Sequence, residues 1–185
     1  MQTPLKHTVY TIGHSTRSIE EFIALLQSFD IHHLIDIRSF PGSRKFPQFN
    51  KENLQATVRD RGMMYTHLSD LGGRRKAKKH SINNRWHNES FRGYADYMGT
   101  QNFETGIVAL QEIAANQPSA YMCSEAVWWR CHRSLISDYL KAKGWNVQHI
   151  MAQNNTEEHP YTSPARVVGD RIFYSDESLF SPGIL

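Results

Sequence analysis

Residues 123–133, Cys-Ser-Glu-Ala-Val-Trp-Trp-Arg-Cys-His-Arg, hold the densest set of reactive side chains in the chain. Two thiols, a carboxylate, an imidazole, two guanidinium groups and two indoles follow one another between an apolar run and a helical pattern. A thiolate at the start of a helix is stabilised by the helix dipole, and Arg130 or Arg133 would stabilise it further, which would make Cys123 or Cys131 nucleophilic. Buried free cysteine is equally common as an inert filler. Glu125 stands two residues beyond Cys123, so an extended chain directs both to the same side. Burial beside Trp128 or Trp129 would raise its pKa and the neighbouring arginines would lower it; either state suits a catalytic carboxylate. Cys123, Cys131 and His132 lack the short paired spacing of structural zinc, and adjacent residues rarely face one ion. Neither a metal nor another cofactor is therefore expected.

Other polar groups follow the remaining apolar runs. Gly13-His14-Ser15 suits an anion cradle ahead of a helix, but has the spacing of neither a dinucleotide fingerprint nor a P-loop. Asp36 is either a base or the partner of Arg38. Arg44 sits in the next loop, and Arg74, Arg75, Lys76, Lys78, Lys79 and His80 form a basic run that is either a solvated loop or a set of phosphate contacts. Trp128 or Trp129 is expected in the core, with the other free to stack on a base or sugar, and Trp86 invites the same reading.

The elements that must position these groups are legible as five β-prone runs, at 8–12, 33–37, 63–67, 120–123 and 146–150, each followed by a loop and then a helical pattern. This alternation predicts an α/β fold with a mostly parallel sheet of about five strands between helical layers. Ser18 and Glu21 form a capping box for a first helix carrying Ile19, Phe22, Ile23 and Leu26. A second begins at Asn50 and stops at Gly62. Residues 93–116 read as helical with a break near Gly99, and a last helix spans 131–143 with Gly144 as its stop. Gly169 and Asp170 separate two short β-prone runs, predicting a hairpin ribbon within a C-terminal extension at 155–185. In open parallel sheets ligands bind outside the carboxyl ends of the strands, which is where His14, Asp36, Arg38, His67, Cys123 and Glu125 fall.

With 185 residues the chain is expected to form one domain. Its 39% hydrophobic and 21% charged residues are globular values, and no apolar run approaches the roughly 20 residues needed to cross a bilayer. Two cysteines are too few for a disulfide framework, and the amino terminus has no signal-peptide core, so a cytoplasmic, membrane-free protein is expected. The net charge of +3 is too small to identify a polyanionic partner. The oligomeric state is left open.

Thr11-Ile-Gly-His-Ser15, Leu34-Ile-Asp-Ile-Arg38 with Pro41 and Arg44, Phe49-Asn50, Leu71-Gly-Gly-Arg-Arg75, Phe91-Arg-Gly-Tyr94, Cys123-Ser-Glu125 and Trp128-Trp-Arg-Cys-His-Arg133 occur in that order. In this combination the chain resembles the domain of unknown function 488 family over nearly its whole length. The resemblance implies a Rossmann-like, three-layer α/β domain of bacterial and archaeal cytoplasm, and no established reaction. It marks His14, Ser15, Asp36, Arg38, Arg44, Asn50, Gly72, Gly73, Cys123, Glu125, Arg130, Cys131, His132 and Arg133 as the signature positions. The residues favour an enzyme acting on a nucleotide or nucleic acid, with hydrolysis of an N-glycosidic bond as the chemistry. Glu125, Asp36 and Cys123 are the expected catalytic groups. The expected substrate-binding groups are His14, Ser15, Arg38, Arg44, Arg74, Arg75, Trp128, Arg130, His132 and Arg133. The alternatives are thiol-dependent, rhodanese-like sulfur transfer, against which the bulky loop after Cys123 speaks, and a non-catalytic nucleic-acid-binding regulator.

Overall fold

The computed structural model describes residues 7–176. β1 (Thr8–Gly13) leads into α1 (Ile19–Gln27), where the Oγ of Ser18 accepts the Glu21 amide at 3.1 Å, as the capping signature requires. Glu21 does not complete the reciprocal bond of a capping box; it pairs with Arg17 at 3.2 Å. After β2 (His33–Asp36) a long loop reaches α2 (Lys51–Asp60). Asn50 precedes that helix as expected, yet its side chain turns back to accept the Ser43 amide at 2.6 Å and so pins the loop instead of capping the helix. Gly62, at φ 77°, closes α2 in the left-handed region.

β3 (Met64–His67) is followed by an irregular stretch and then by α3 (Glu89–Tyr97), whose first turn is capped by the Oδ1 of Asn88. α4 (Gln101–Asn116) begins after the break near Gly99, and β4 (Ser119–Cys123) returns the chain to the sheet. α5 (Arg133–Ala142) and β5 (Asn146–Ala152) complete the last crossover. β5 then turns at Asn154 into β6 (Asn155–Glu158), and β7 (Arg166–Val168) with β8 (Arg171–Phe173) forms a separate antiparallel ribbon. The ribbon matches the hairpin expected around Gly169 and Asp170. The remainder of the expected extension, 177–185, lies outside the described residues.

The main sheet has the order β3-β2-β4-β1-β5-β6; all its pairings are parallel except β5 with β6. Five strands are those expected, and the sixth is an addition. Asn-Thr-Glu-Glu shows no apolar alternation because β6 is an edge strand with mostly exposed side chains, paired through its backbone to β5.

Helices cover both faces. α1 and α2 pack Phe22, Leu26, Leu54 and Val58 against Ile12, Leu34 and Met122 on one side. α3, α4 and α5 pack Tyr94, Phe103, Ile107, Leu135 and Leu140 against Val9, Ile35, Tyr121 and Val147 on the other. The connections leaving β1 and β2 therefore go to one face, while the connection leaving β4, which lies between them, goes to the opposite face. This reversal parts the loops at the carboxyl end of β4, the topological position at which α/β sheets open a crevice. No helix among the described residues is long and apolar enough to cross a membrane.

Candidate active site at the carboxyl edge of the sheet

A cleft of about 720 Å³ opens at that reversal, lined from the loops after β1, β2 and β4, from Gly73 and Arg74, and from the start of α3. The β1 and β4 loops are laced together: the amides of His14 and Ser15 donate to the carbonyls of Cys123 and Ser124 at 3.0 and 2.8 Å. These bonds take up the N–H groups that the Gly13-His14-Ser15 stretch was expected to offer an anion. Gly13 serves close packing instead, since a Cβ there would lie 1.8 Å from the Glu125 carbonyl oxygen. The His14 ring stacks on Phe49 at 4.2 Å, and burial, with Arg38 nearby, lowers its pKa to about 4, so it faces the cleft as a neutral imidazole.

Asp36 is fully buried and does not line the cleft. Its Oδ1 accepts from the backbone amide and Nε of Arg38 at 3.0 and 2.9 Å, and its Oδ2 accepts from Nη2 of Arg38 at 2.5 Å and from the Tyr65 hydroxyl at 2.7 Å. A carboxylate held in four hydrogen bonds has no lone pair directed at a substrate, which corrects its expected catalytic role: Asp36 positions Arg38. Burial would lower the Arg38 pKa, but the bonds and charge of Asp36 outweigh it and raise the pKa, so the guanidinium reaches the cleft as a fixed cation with Nη1 outside the pair.

At the floor lie Cys123, Cys131 and His132. The Nδ1 of His132 is 4.0 Å from the Sγ of Cys123 and 3.7 Å from that of Cys131, and the three atoms lie within 4.8 Å of one another. The two cysteines are 6% and 3% exposed. Burial pushes the Cys131 thiol up, but the hydrogen bond from Cys123 and the charge of Arg133 outweigh it and bring it to about 6. Donating that bond, together with burial, raises Cys123 to about 12. The expectation that Cys131 and His132 would not face one point is corrected here. Cys131 is extended (φ −124°, ψ 145°) and His132 is helical (φ −56°, ψ −14°), and this change of backbone conformation brings both side chains to the same side. Gly73 admits the imidazole, since a Cβ at that position would sit 2.8 Å from Nδ1.

A single family model decides the relationship of the chain to known proteins: that of the domain of unknown function DUF488 matches residues 18–140. The chain belongs to the DUF488 family. No curated protein and no solved structure matches it.

Within this DUF488 domain the expected site residues divide sharply. His14, Ser15, Arg38, Arg74, Cys123, Glu125, Arg130 and His132 line one cleft. Glu125 is exposed there, and among the described residues nothing bonds its carboxylate, although its carbonyl accepts from Arg133 at 2.7 Å. Arg133 is no ligand group: it is buried, and its guanidinium braces the Thr11 hydroxyl, the Cys131 sulfur and the Glu125 carbonyl. Trp128 is core, stacked on His149 at 4.5 Å outside the cleft lining, as one tryptophan of the pair was expected to be. Arg75 lies over Tyr97 at 3.6 Å and Arg44 points to solvent, so neither lines the cleft. Of the basic run only Arg74 does, because residues 75–77 pass against Gly93 on α3. Trp86 stacks on Phe91 at 4.8 Å, half-buried against the core, rather than in the cleft.

Reasoning from the sequence missed Phe40, Phe46 and Asn88 as lining residues. Phe40 is 73% exposed with the Arg74 guanidinium 5.8 Å from its ring centre. Its aromatic type beside Pro41 and Gly42, in a loop that follows a strand end, was the available signal.

Proposed function

We propose that this DUF488 protein is an enzyme that hydrolyses a bond in a nucleotide or nucleic-acid substrate held in the cleft. One observation carries the reading: three guanidinium groups and an exposed aromatic ring share one cleft with a free carboxylate and a Cys–His floor. The volume is that of an ordinary small-molecule site. Arg38, oriented by Asp36, suits a phosphate, because a guanidinium fixed before the ligand arrives loses little freedom on binding. Arg74 and Arg130 add charge at the mouth, and Phe40 offers a face on which a base can stack.

The loss of Asp36 as a free carboxylate removes the pair that the N-glycosidic mechanism was expected to use, and leaves Glu125 as the carboxylate able to take a proton from water or return one to a leaving nitrogen. Sulfur transfer has less support, since both thiols are turned toward each other and His132 at low exposure. A purely binding role would suit a crevice closed by packing, and this one is open.

Calorimetric titration with mononucleotides and a short single-stranded oligonucleotide tests the reading. Binding is expected, weakened roughly 10- to 100-fold by Arg38→Met, the loss of charge-assisted bonds of about 1.5–3 kcal/mol. With the three arginines as the phosphate contacts, oligonucleotide affinity should fall with log salt at a slope near −2, from about −0.7 per contact. Incubation with the same probes should release a base or an amine, and Glu125→Gln should bind equally and turn over orders of magnitude more slowly. Absence of binding to every probe at low salt overturns the reading.

A further inference from the structure

From the floor of this cleft we infer a binding site for a soft, tetrahedral divalent cation, zinc foremost, held by the Sγ atoms of Cys123 and Cys131 and the Nδ1 of His132, with its fourth position open to the cleft. All three donors belong to the types that zinc prefers, and three protein ligands with one open position is the pattern of catalytic rather than structural zinc.

The spacing supports an ion over hydrogen bonding as what the cluster is built for. With metal–sulfur bonds of about 2.3 Å and metal–nitrogen bonds of about 2.0 Å, tetrahedral geometry sets nitrogen–sulfur edges near 3.6 Å and a sulfur–sulfur edge near 3.8 Å. The observed nitrogen–sulfur separations are 3.7 and 4.0 Å, and the largest separation in the set is at most 4.8 Å. Small side-chain rotations close that difference. The Nε of Arg133 approaches the Sγ of Cys131 more closely, at 3.4 Å, than the Nδ1 of His132 does.

Two further observations point the same way. The His132 ring is fixed by Tyr94, at 5.0 Å between ring centres, and by Gly73, which presets the Nδ1 direction. Arg133, bonded to the Cys131 sulfur, supplies the outer-shell donor that metal thiolates commonly carry.

The site gives the proposed hydrolysis its nucleophile; this role, though not the ion binding, rests on the function proposed above. Water on the fourth position loses a proton to the Glu125 carboxylate. The resulting hydroxide oxygen bonds to the carbon of a carbon–nitrogen bond in the substrate, that bond breaks with its electron pair going to nitrogen, and the nitrogen takes the proton from Glu125.

Metal analysis of the protein purified without chelator, followed by titration of the stripped full chain with zinc and with cobalt, tests the site. One equivalent should bind, with a sulfur-to-cobalt charge-transfer band and the visible spectrum of a tetrahedral centre, and X-ray absorption should report two sulfur and two lighter ligands. Cys123→Ser, Cys131→Ser and His132→Gln should each weaken zinc by more than about 100-fold, beyond the loss caused by outer-shell changes. Should a variant misfold, the cobalt spectrum of the unaltered chain still decides. Glu125→Gln should keep the metal and lose turnover. Failure of the stripped chain to bind either ion, or a spectrum without sulfur ligation, overturns the inference while leaving nucleotide binding intact. A bound ion with no nucleotide binding overturns the previous reading alone. Bound zinc with unchanged turnover after stripping overturns the catalytic role.

Discussion

Two buried carboxylates in this molecule make four hydrogen bonds each and do different work. Asp36 holds Arg38 and Tyr65, and the guanidinium it holds opens into the cleft. Asp138, on α5, accepts from the His159 ring at 3.1 Å, from the amide and hydroxyl of Thr162 at 2.8 and 2.6 Å, and from the Tyr174 hydroxyl at 2.9 Å. His159 in turn meets His149 at 2.9 Å, and Trp128 covers that ring. Both carboxylates are fully buried, so burial and saturation by hydrogen bonds do not identify a functional carboxylate. What distinguishes them is the far side of the partner: Arg38 has a face in the cleft, whereas the partners of Asp138 tie the chain around 159–174 to α5.

Removing each carboxylate tests this contrast with the largest effects. Asp36→Ala leaves a buried cation without its partner and should cost about 3–5 kcal/mol in denaturant unfolding, and it should abolish the calorimetric response to nucleotides at conditions where the protein stays folded. Asp138→Ala leaves two hydroxyls, an amide and an imidazole less satisfied. It should cost about 2–4 kcal/mol while leaving ligand affinity within a factor of two. Equal loss of binding in both variants would erase the distinction.

The histidines sharpen it at intermediate size. His149 is held far below its ordinary pKa, first by burial and then by His159 and Arg133, and His14 is lowered to about 4. Both stay neutral in the folded protein while the unfolded chain takes up protons below about pH 6.5, so stability should fall as pH drops from 7 toward 5. Each group contributes up to about 1.4 kcal/mol per pH unit well below 6.5. Unfolding at pH 7 and 5.5 should show a smaller loss for His149→Gln than for the unaltered protein; an unchanged slope would mean that His149 does not set the dependence.

The smallest effects are expected where charge lies outside both clusters. Arg44→Ala and Arg75→Ala should change nucleotide affinity less than twofold. Arg75→Ala alone should lose stability, about 0.5–1 kcal/mol from its stacking on Tyr97. A tenfold loss of affinity in either would extend the site beyond the cleft.

Local rules read from the sequence carried far. Apolar runs located five of the six strands of the main sheet, Ser18 and Gly62 marked helix ends, Gly169 and Asp170 marked the hairpin, and the strand-end rule brought His14, Arg38, Cys123 and Glu125 to one edge. These features depend on neighbours within a few residues and on the general geometry of α/β connections. The partners of each polar group were decided by the tertiary structure. Asp36 is saturated by Tyr65 from the adjacent strand, His132 is admitted by Gly73 across 59 positions of sequence, and Trp128 turned to His149 instead of a ligand. A side chain's chemical type is written in the sequence. Whether its lone pairs and charge are free for a substrate depends on which distant groups reach it first once water is excluded, and packing alone settles that competition.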